Sequence, residues 1–295
     1  MTERIIYALG FFDGVHLGHQ ALLRACRELA TQTGAASGVV TFDTHPETLL
    51  RGAAPGLINS IEDRQTLLHR YGMERGLMLP FDRALMELPW QDFFRMLVEK
   101  YHAAGLVCGE DFHFGHRGAG TAQTLQQACS EAGIPFAAVP QQMVDGLRVS
   151  STHIRTLLEA GNVETAMRFL GHPHLLSGTV IPGRQLGRTI GIPTANLALP
   201  EGVLCPRFGV YACQAHVEGQ TYAAVTNIGT RPTVGGHHVT VEPWLLDFSG
   251  DLYGKTLTLE FHVFLRPEKK FDSLQDLQAE IQKNALQTRK IFAKN

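Results

Sequence analysis

Two histidines stand three residues apart near the start of the chain, in the stretch ALGFFDGVHLGHQALL at residues 8–23. The apolar residues before Gly10 predict a strand, and a helix is expected to begin near Gly18. Ligands bind at such strand ends in parallel sheets, and the N-terminus of the following helix attracts anions through its free N–H groups. His16 and His19 would add hydrogen-bond donors at the same rim.

The glycines in this stretch favour a phosphate ligand. Gly14 and Gly18 allow the backbone to approach a phosphate closely because they have no side chain. We interpret the stretch as a site for a nucleoside triphosphate that is attacked at its α-phosphate while pyrophosphate leaves, with catalysis by positioning and charge stabilisation. Two alternatives remain open: the histidines belong to an ordinary tight loop, or they bind zinc, although no third ligand stands at a convincing spacing.

The composition indicates a globular chain. With 295 residues, 44% of them hydrophobic and 18% charged, the chain is long enough for two ordinary domains. Its 26 basic and 28 acidic residues give a net charge of -2, so neither nucleic acid nor a membrane is expected as a partner. Five scattered cysteines without a CxxC pair, and the lack of a leader-like or long apolar segment, predict a reduced, cytoplasmic protein.

Up to about residue 170, short apolar runs alternate with helical patterns. The strand-like segments are RIIYAL, SGVVTF, RGLMLPF, GLVCGE and PFAAVP, and helical segments lie between them. Two further helical segments, STHIRTLLEAG and NVETAMRFLG, follow. The alternation of strands and helices predicts an α/β unit with a parallel sheet that is covered on both faces.

From about residue 175 the pattern changes to strands that Gly and Pro interrupt. The apolar residues of KTLTLEFHVFLRP alternate strictly, which predicts a half-buried strand: Leu257, Leu259, Phe261, Val263 and Leu265. This half predicts an antiparallel barrel or sandwich that is closed by a helix over SLQDLQAEIQKNALQTRKIF. We therefore expect two domains, at residues 1–172 and 173–295.

The ordered motifs of the chain resemble a known family. GFFDGVHLGHQ is similar to the first motif of the FMN-adenylylating module of bacterial bifunctional riboflavin kinase/FAD synthetases, which are HxGH nucleotidylyltransferases. In the first half TFDTHP, GEDFHFGHRGAG and VSSTHIR also match, and in the second half GRTIGIPTANL, GVY, TNIGTRPT, VEPWLLDFSGDLYG and FLRPEKKF match. Each motif is modest alone, but their joint order is specific.

The resemblance implies a fold and two reactions. It implies a Rossmann-like parallel sheet followed by a riboflavin kinase β-barrel. The second module would phosphorylate riboflavin to FMN with Mg²⁺ and ATP, and the first would adenylylate FMN to FAD and release pyrophosphate. Riboflavin, FMN, FAD and ATP are the expected partners, and a monomer or weak homo-oligomer is the expected state.

The resemblance also implies roles for residues of the first module. The first motif would surround ATP: Gly10, Asp13, Gly14, His16, Gly18 and His19. Asp43 would lie at another strand's carboxyl end. The motif around residue 112 would put Asp111, Phe112 and Phe114 near a flavin and Arg117 near a phosphate, although aromatic residues more often pack in a core.

The segment VSSTHIR should begin a second helix. Its hydroxyl residues can cap that helix and also face phosphate: Ser150, Ser151 and Thr152. Arg155 could reach the α- and β-phosphates and balance charge as pyrophosphate departs. A plain helix cap is the alternative. The chain departs from the family pattern at His153, where many relatives have Arg, and at Asn284, where relatives often have Asp.

In the second module, the resemblance assigns a metal site and a general base. Gly183, Gly187 and Gly191 stand four residues apart among Arg, Gln and Pro, which favours a flexible loop around a polyphosphate. The resemblance implies that Thr194 and Asn196 bind Mg²⁺ and ATP through hard oxygen atoms, and that Pro193 also belongs to the ligand site. A simple turn after Pro193 is the alternative.

Glu242 would accept the proton of the riboflavin 5′-hydroxyl as that oxygen attacks the γ-phosphate, unless it is an ordinary exposed glutamate. The remaining predicted ligand contacts are weaker: Asn227, Arg231 and Arg266.

Two other functions compete with a bifunctional enzyme. One is an enzyme with a single activity and one degenerate site, and the other is a regulator that binds flavin without turnover. The complete HxGH and SST…R patterns argue against loss of the first activity, and PTAN with Glu242 argues against loss of the second. A regulator could dispense with metal ligands and a base, so their presence favours an enzyme.

Overall fold

The chain folds into two compact units. The computed structural model describes residues 3–52, 55–183, 187, 191–233 and 236–293. One unit comprises Met1–Leu57 and Arg64–Ser151, and the other comprises Ile58–Asp63 and Thr152–Asn295. The helical segments that follow Ser151 therefore belong to the second unit. The domain boundary between residues 172 and 173 stays a prediction.

The first unit is built on a parallel sheet. Its strands are β1 (Ile5–Leu9), β2 (Ala36–Phe42), β3 (Arg75–Leu79), β4 (Ala103–Gly109), β5 (His113–Phe114), β6 (Gly120–Thr121), β7 (Phe136–Val139), β8 (Met143–Val144) and β9 (Leu147–Arg148). Five of them pair in parallel in the order β3-β2-β1-β4-β7, and the others form two short hairpins. The predicted parallel sheet is confirmed. The strand order reverses at β1, because β2 and β3 lie on one side of it and β4 and β7 lie on the other. At such a point the carboxyl ends of neighbouring strands form the kind of crevice in which α/β proteins bind ligands.

The helices occupy most of the predicted helical segments. They are α1 (Leu17–Thr33), α2 (Pro46–Arg51), α3 (Ile61–Arg70), α4 (Arg83–Glu87), α5 (Trp90–Arg95), α6 (Ala122–Glu131), α7 (Ser151–Glu159), α8 (Val163–Leu170) and α9 (Leu274–Phe292). A π-helical turn extends α5 over Met96–Lys100, and a 3-10 turn covers His116–Gly118. None of the helices in the described ranges combines the length and apolar character that crossing a bilayer requires.

Helix α1 shows how the sequence sets an element's limits. The His16 side chain caps its N-terminus, and Gly34 ends it in the left-handed conformation, at φ 62°. Leu22, Cys26 and Ala30 recur every four residues and are buried on one face. The helix therefore lies against the sheet with its N-terminus beside the end of β1.

The second unit is a closed six-stranded barrel. Its strands are β10 (His174–Ile181), β11 (Asn196–Ala198), β12 (Gly209–Val217), β13 (Gln220–Thr233), β14 (Gly236–Leu245) and β15 (Thr256–Arg266). The order is β10-β11-β14-β13-β12-β15, all neighbours are antiparallel, and β15 pairs with β10 to close the barrel. Of the two predicted architectures, barrel and sandwich, the barrel is correct.

The strict alternation predicted for β15 holds only in its first half. Leu257, Leu259 and Phe261 are fully buried. The register with β12 then shifts, because Cys213 pairs with Phe261 while Ala212 pairs with Val263. Such a bulge changes the direction in which the later side chains point, and Val263 is only partly buried.

Helix α9 packs against the barrel as the predicted closing helix. Asn284 is buried on this helix, and its Oδ1 accepts a hydrogen bond of 3.1 Å from Arg266 Nε. Arg266 Nε also lies 3.7 Å from the Glu280 carboxylate. The departure from the family pattern at Asn284 is therefore located at a contact between helix and barrel.

His174 is a buried base in the barrel and makes the barrel sensitive to acid. The residue is 0% exposed, and neither ring nitrogen has a hydrogen-bond partner among the described residues. Burial, with a smaller contribution from His172, lowers the pKa of His174 to about 3. Because the pKa is lower in the folded state than in the unfolded state, full stability is present above pH 6.5 and is lost as the pH falls toward 3.

We predict that His174→Phe reduces the acid sensitivity of folding. Between pH 6.5 and 3 the histidine removes up to about 1.4 kcal/mol of unfolding free energy per pH unit, and the variant lacks this contribution. Urea unfolding at pH 7.5, 6.0 and 5.0 measures the difference, with His69→Phe, at an exposed position on α3, as the control. Equal pH dependence in the wild type and His174→Phe would contradict the assignment.

Candidate functional site

The loop between β1 and α1 has an unusual backbone. Phe12 and Val15 both have positive φ angles, 60° and 37°, and Gly14 has φ 82°. Positive φ angles in residues other than glycine cost free energy and persist where the surrounding packing fixes them. Phe12 and Val15 are fully buried, so packing holds this loop in one conformation.

Hydrogen bonds to two carbonyl groups hold the loop in place. The Phe11 carbonyl accepts from Arg64 Nη1 at 2.9 Å and from Thr41 Oγ1 at 3.0 Å. The Asp13 carbonyl accepts from Ser151 Oγ at 2.9 Å. Ser151, a predicted site residue, is thus the first residue of helix α7, and its hydrogen bond to Asp13 also holds the first motif in position.

The two histidines of the motif stack on each other. The ring centroids of His16 and His19 are 3.6 Å apart and the rings are nearly parallel. His16 Nδ1 accepts the backbone N–H of His19 at 3.3 Å. A Cβ atom added to Gly18 would lie 3.1 Å from His16 Cε1, so the His16 ring would have to shift by a few tenths of an ångström to accommodate a side chain there.

His19 is held in its neutral form. Burial, and then the charges of His16 and Arg64, lower the pKa of His19 well below its ordinary value. His19 Nδ1 is buried and has no hydrogen-bond partner among the described residues. At neutral pH the ring is therefore uncharged and can offer one N–H donor to a ligand.

A cleft of about 290 Å³ opens beside these histidines. It lies at the carboxyl ends of three sheet strands, where it contacts Leu9, Gly109 and Val139. Many of the predicted site residues line it: Gly10, His16, Gly18, His19, Asp111, Phe112, Ser150 and Ser151. The first unit therefore brings the first, third and fourth motifs together at the edge that the sequence indicated.

Other predicted residues of the first unit lie outside the lining of this cleft. Asp13 and Gly14 are buried in the loop behind the histidines. Asp43 follows β2, and its carboxylate accepts the Phe81 N–H at 3.0 Å. Arg117 is exposed on the 3-10 turn, in the left-handed conformation.

The two phenylalanines of the third motif have different surroundings. Phe112 lines the cleft, and its ring stacks on Phe114 with a centroid distance of 5.5 Å. Phe114 is only 8% exposed and packs with Phe93 and Trp90 in the core. The core alternative therefore describes Phe114, and a flavin contact of Phe112 stays a prediction.

Thr152 and Arg155 belong to the second of the two compact units. They follow Ser151 on helix α7. Their predicted roles toward phosphate stay predictions.

Two arginines of the first unit were not predicted. Arg148 lines the cleft and forms an ion pair with the predicted residue Asp111. Arg64 is buried behind the histidine loop. Arg148 directly precedes the VSSTHIR motif, and this position is a signal from which the sequence could have predicted it. Arg64 lies in a helical segment that contains no motif.

In the barrel, three predicted residues lie in one row across neighbouring strands. Glu242 of β14 pairs with Asn227 of β13. On the other side of β14, Leu197 pairs with Val241, and the same antiparallel register one residue further puts Asn196 opposite Glu242. The carboxylate position thus stands between two amide positions on the same face.

A second cleft, of about 560 Å³, lies beside this row. Pro193 and Thr194 line it together with Pro243, the residue after Glu242. The backbone N–H of Ala195 donates to the Pro243 carbonyl at 2.9 Å, so the PTAN segment is fixed to the strand that carries Glu242. The Thr194 hydroxyl in this lining suits a hard cation. The three residues of the row do not themselves line the cleft: Asn196, Asn227 and Glu242.

The glycines of the second unit's first motif allow close contacts. A Cβ atom on Gly183 would overlap the amide of Asn196, and one on Gly187 would overlap the Ile192 carbonyl. The Ile192 N–H donates to the Gly187 carbonyl at 2.7 Å. The residues between these two glycines lie outside the described residues, so their enclosure of a polyphosphate stays a prediction.

The weaker predictions for the barrel have mixed outcomes. Arg266 contacts helix α9, as described above, and a flavin contact stays a prediction. The side chain of Arg231 lies outside the described residues. Within the described part of the chain, no group of three or more His, Cys, Asp or Glu side chains is arranged to hold a metal ion.

The folds and the two clefts define a two-module enzyme, and known proteins identify its family. The FAD synthetase family matches residues 1–153, and the riboflavin kinase family matches residues 170–292. A bifunctional riboflavin kinase/FMN adenylyltransferase from Pseudomonas fluorescens is 38% identical over 291 residues, which cover 98% of this chain and 93% of the relative. The relative of that description from Listeria monocytogenes is 34% identical over 292 residues, with coverage of 98% and 93%. The chain therefore belongs to the bifunctional riboflavin kinase/FMN adenylyltransferase family, and the predicted family and enzyme class are confirmed.

A solved structure agrees with the architecture of the whole chain. A crystal structure described as a macrolide-efflux protein from Streptococcus pneumoniae has a TM-score of 0.88 and 32% sequence identity. The match covers 98% of this chain and 95% of that one. The sheet unit and the barrel unit are thus both present in a protein that is similar over its full length.

We predict that Gly18→Ala impairs the first cleft. The added methyl group shifts the His16 ring by a few tenths of an ångström. Because a displacement of about 1 Å near reacting groups can lower a rate about 10²-fold, we expect a smaller loss, of roughly 10-fold or less. FAD formation from FMN and ATP measures the loss. The control is Gly76→Ala, because an added Cβ at Gly76 meets no atom within 4 Å. A wild-type rate of FAD formation in Gly18→Ala would contradict the claim that the position of the His16 ring affects the reaction.

Proposed function

We propose that the sheet unit transfers the adenylyl group of ATP to FMN, and that the barrel unit transfers the γ-phosphate of ATP to riboflavin. The observation that carries the proposal is that each family match coincides with a unit that has its own cleft lined by motif residues. Riboflavin, FMN and ATP are the proposed substrates, and FAD, ADP and pyrophosphate are the products.

In the sheet unit, the proposed reaction joins a phosphate oxygen of FMN to the α-phosphorus of ATP. The bond from the α-phosphorus to the bridging oxygen breaks, and pyrophosphate leaves. No covalent intermediate with the protein is needed, so the residues act by positioning and by stabilising charge. The N-terminus of α1 and Ser150, the residue before α7, supply donors toward the phosphates.

The two histidines act in this reaction as hydrogen-bond donors. Because His16 Nδ1 accepts a backbone N–H, His16 donates to a ligand through Nε2. The low pKa of His19 keeps that ring from protonation near pH 7. Both rings can thus donate one hydrogen bond each to phosphate oxygens while they remain stacked.

In the barrel unit, Glu242 is the proposed general base. Its carboxylate would accept the proton of the riboflavin 5′-hydroxyl while that oxygen attacks the γ-phosphorus and ADP leaves. Asn227 and Asn196 flank Glu242 in the sheet register. Their amide groups can orient the hydroxyl group and the nucleotide on either side of the carboxylate.

The residues around Glu242 fit a magnesium ion carried by ATP. The Thr194 hydroxyl and the Asn196 amide oxygen are hard ligands, and Mg²⁺ usually takes few protein ligands and keeps phosphate and water oxygens. When bound, the ion would neutralise charge on the β- and γ-phosphates. Thr194 and Asn196 would hold it.

We predict that Glu242→Gln separates the two activities. Loss of the base should slow FMN formation from riboflavin by about 10²- to 10⁴-fold and leave FAD formation from FMN unchanged. Chromatography of riboflavin, FMN and FAD measures both rates, with Glu201→Gln, at an exposed loop carboxylate, as the control. Equal loss of both activities in a folded protein would reject the assignment.

We predict that His19→Asn arrests the pathway at FMN. Removal of one donor to a developing charge costs about 10²- to 10³-fold in rate, so FMN should accumulate from riboflavin while FAD does not. His102→Asn is the control, because His102 is exposed and has a positive φ angle that Asn tolerates. FAD accumulation at the wild-type rate in His19→Asn would contradict the role of the histidine.

A further inference from the structure

Arg64 is the most deeply buried charged residue near the first cleft that no motif includes. It lies on helix α3 and is 2% exposed. Burying a charged group is costly unless it is paired and hydrogen-bonded. The contacts that compensate this cost show what the residue does.

The guanidinium group connects the ends of two parallel strands. Arg64 Nη1 donates to the Phe11 carbonyl at 2.9 Å, and Nη2 donates to the Phe42 carbonyl at 2.7 Å. Its Cζ atom lies 4.4 Å from the centre of the Phe11 ring. A planar fork with two fixed donors can hold two carbonyl groups at a set separation.

Two carboxylates offset the positive charge of Arg64, and this charge in turn lowers the pKa of a histidine. The carboxylates of Asp13 and Asp43 favour the charged guanidinium and oppose the effect of burial on its pKa. The same positive charge contributes to the low pKa of His19. Asp13 and His19 belong to the first motif, and Asp43 belongs to the second.

We propose that Arg64 is a positioning residue for adenylyl transfer, which fixes the loop that carries His16 and His19 and keeps a permanent positive charge behind it. The inference rests on the proposed function of the sheet unit. Arg64 touches neither substrate in this account, and it acts through the Phe11 and Phe42 carbonyls and through His19.

Other ionisable groups near His19 do not replace this effect. His16 is in the same loop and is stacked on His19. Asp111, His113 and Arg148 line the same cleft, and Asp111 and Arg148 form an ion pair with each other. Arg64 is the charged side chain that contributes, together with His16, to the pKa of His19.

Two variants separate the geometric contribution from the charge contribution. Arg64→Lys keeps the charge but has no planar fork with which to bridge two carbonyl groups. Arg64→Met removes both and fills a similar volume. Arg70→Lys and Arg70→Met, at an exposed position on the same helix, are the matched controls.

The experiment combines kinetics with a titration of His19 in the full-length protein. The kcat and KM for FAD formation from FMN and ATP are measured for each variant, and riboflavin phosphorylation by the barrel unit is measured in parallel. The pKa of His19 is followed through its imidazole resonance by NMR, assigned with His19→Asn.

We expect both Arg64 variants to lower kcat for FAD formation, by about 10²-fold for Arg64→Met, while riboflavin phosphorylation is retained. We expect the pKa of His19 to rise in Arg64→Met, since a repelling charge has been removed, and to stay at the wild-type value in Arg64→Lys.

Three results would overturn the proposal. The first is a wild-type kcat in Arg64→Met. The second is a pKa of His19 that is the same in Arg64→Met as in the wild type. The third is a parallel loss of riboflavin phosphorylation, which would indicate general destabilisation. Absence of FAD formation by the wild-type protein would instead reject the proposed function itself.

Discussion

The candidate site of the first unit depends on how the backbone is held where strands β1 and β2 end. The loop after β1 has positive φ angles at Phe12 and Val15, and it keeps that shape because its carbonyl groups accept hydrogen bonds from Arg64, Thr41 and Ser151. This fixed loop sets the position of both histidines, the start of α1 and one wall of the cleft. A preorganised set of donors of this kind is what phosphoryl-type transfer requires, because the protein contributes mainly position and charge.

The barrel achieves positioning by strand register rather than by a strained loop. Pairing fixes Asn196, Glu242 and Asn227 side by side on three strands, and the hydrogen bond from Ala195 to Pro243 fixes the PTAN segment beside them. The two units therefore position their candidate site residues rigidly by different means. In one unit buried side chains hold a loop, and in the other the ladder of the barrel holds the side chains.

The sequence predicted the architecture and many of the residues that line the first cleft, because both depend on local patterns. Alternation of strands and helices indicated the parallel sheet, and the glycines around His16 and His19 marked the turn at its edge. Arg64 was not predicted because its role depends on two carbonyl groups, at Phe11 and Phe42, that come near it only in the folded chain. Burial of Phe114 in the core and the bulge after Phe261 also arise from tertiary packing, which residue spacing does not show.

The central claim is that the two units attack different phosphorus atoms of ATP, and analogues with one resistant linkage test it most directly. With β,γ-imido ATP, we expect FMN to be converted to FAD while riboflavin stays unphosphorylated. With α,β-methylene ATP, we expect riboflavin to be converted to FMN and the reaction to stop there. Support of both reactions by either analogue, or failure of an analogue to support the reaction assigned to its intact linkage, would contradict the account.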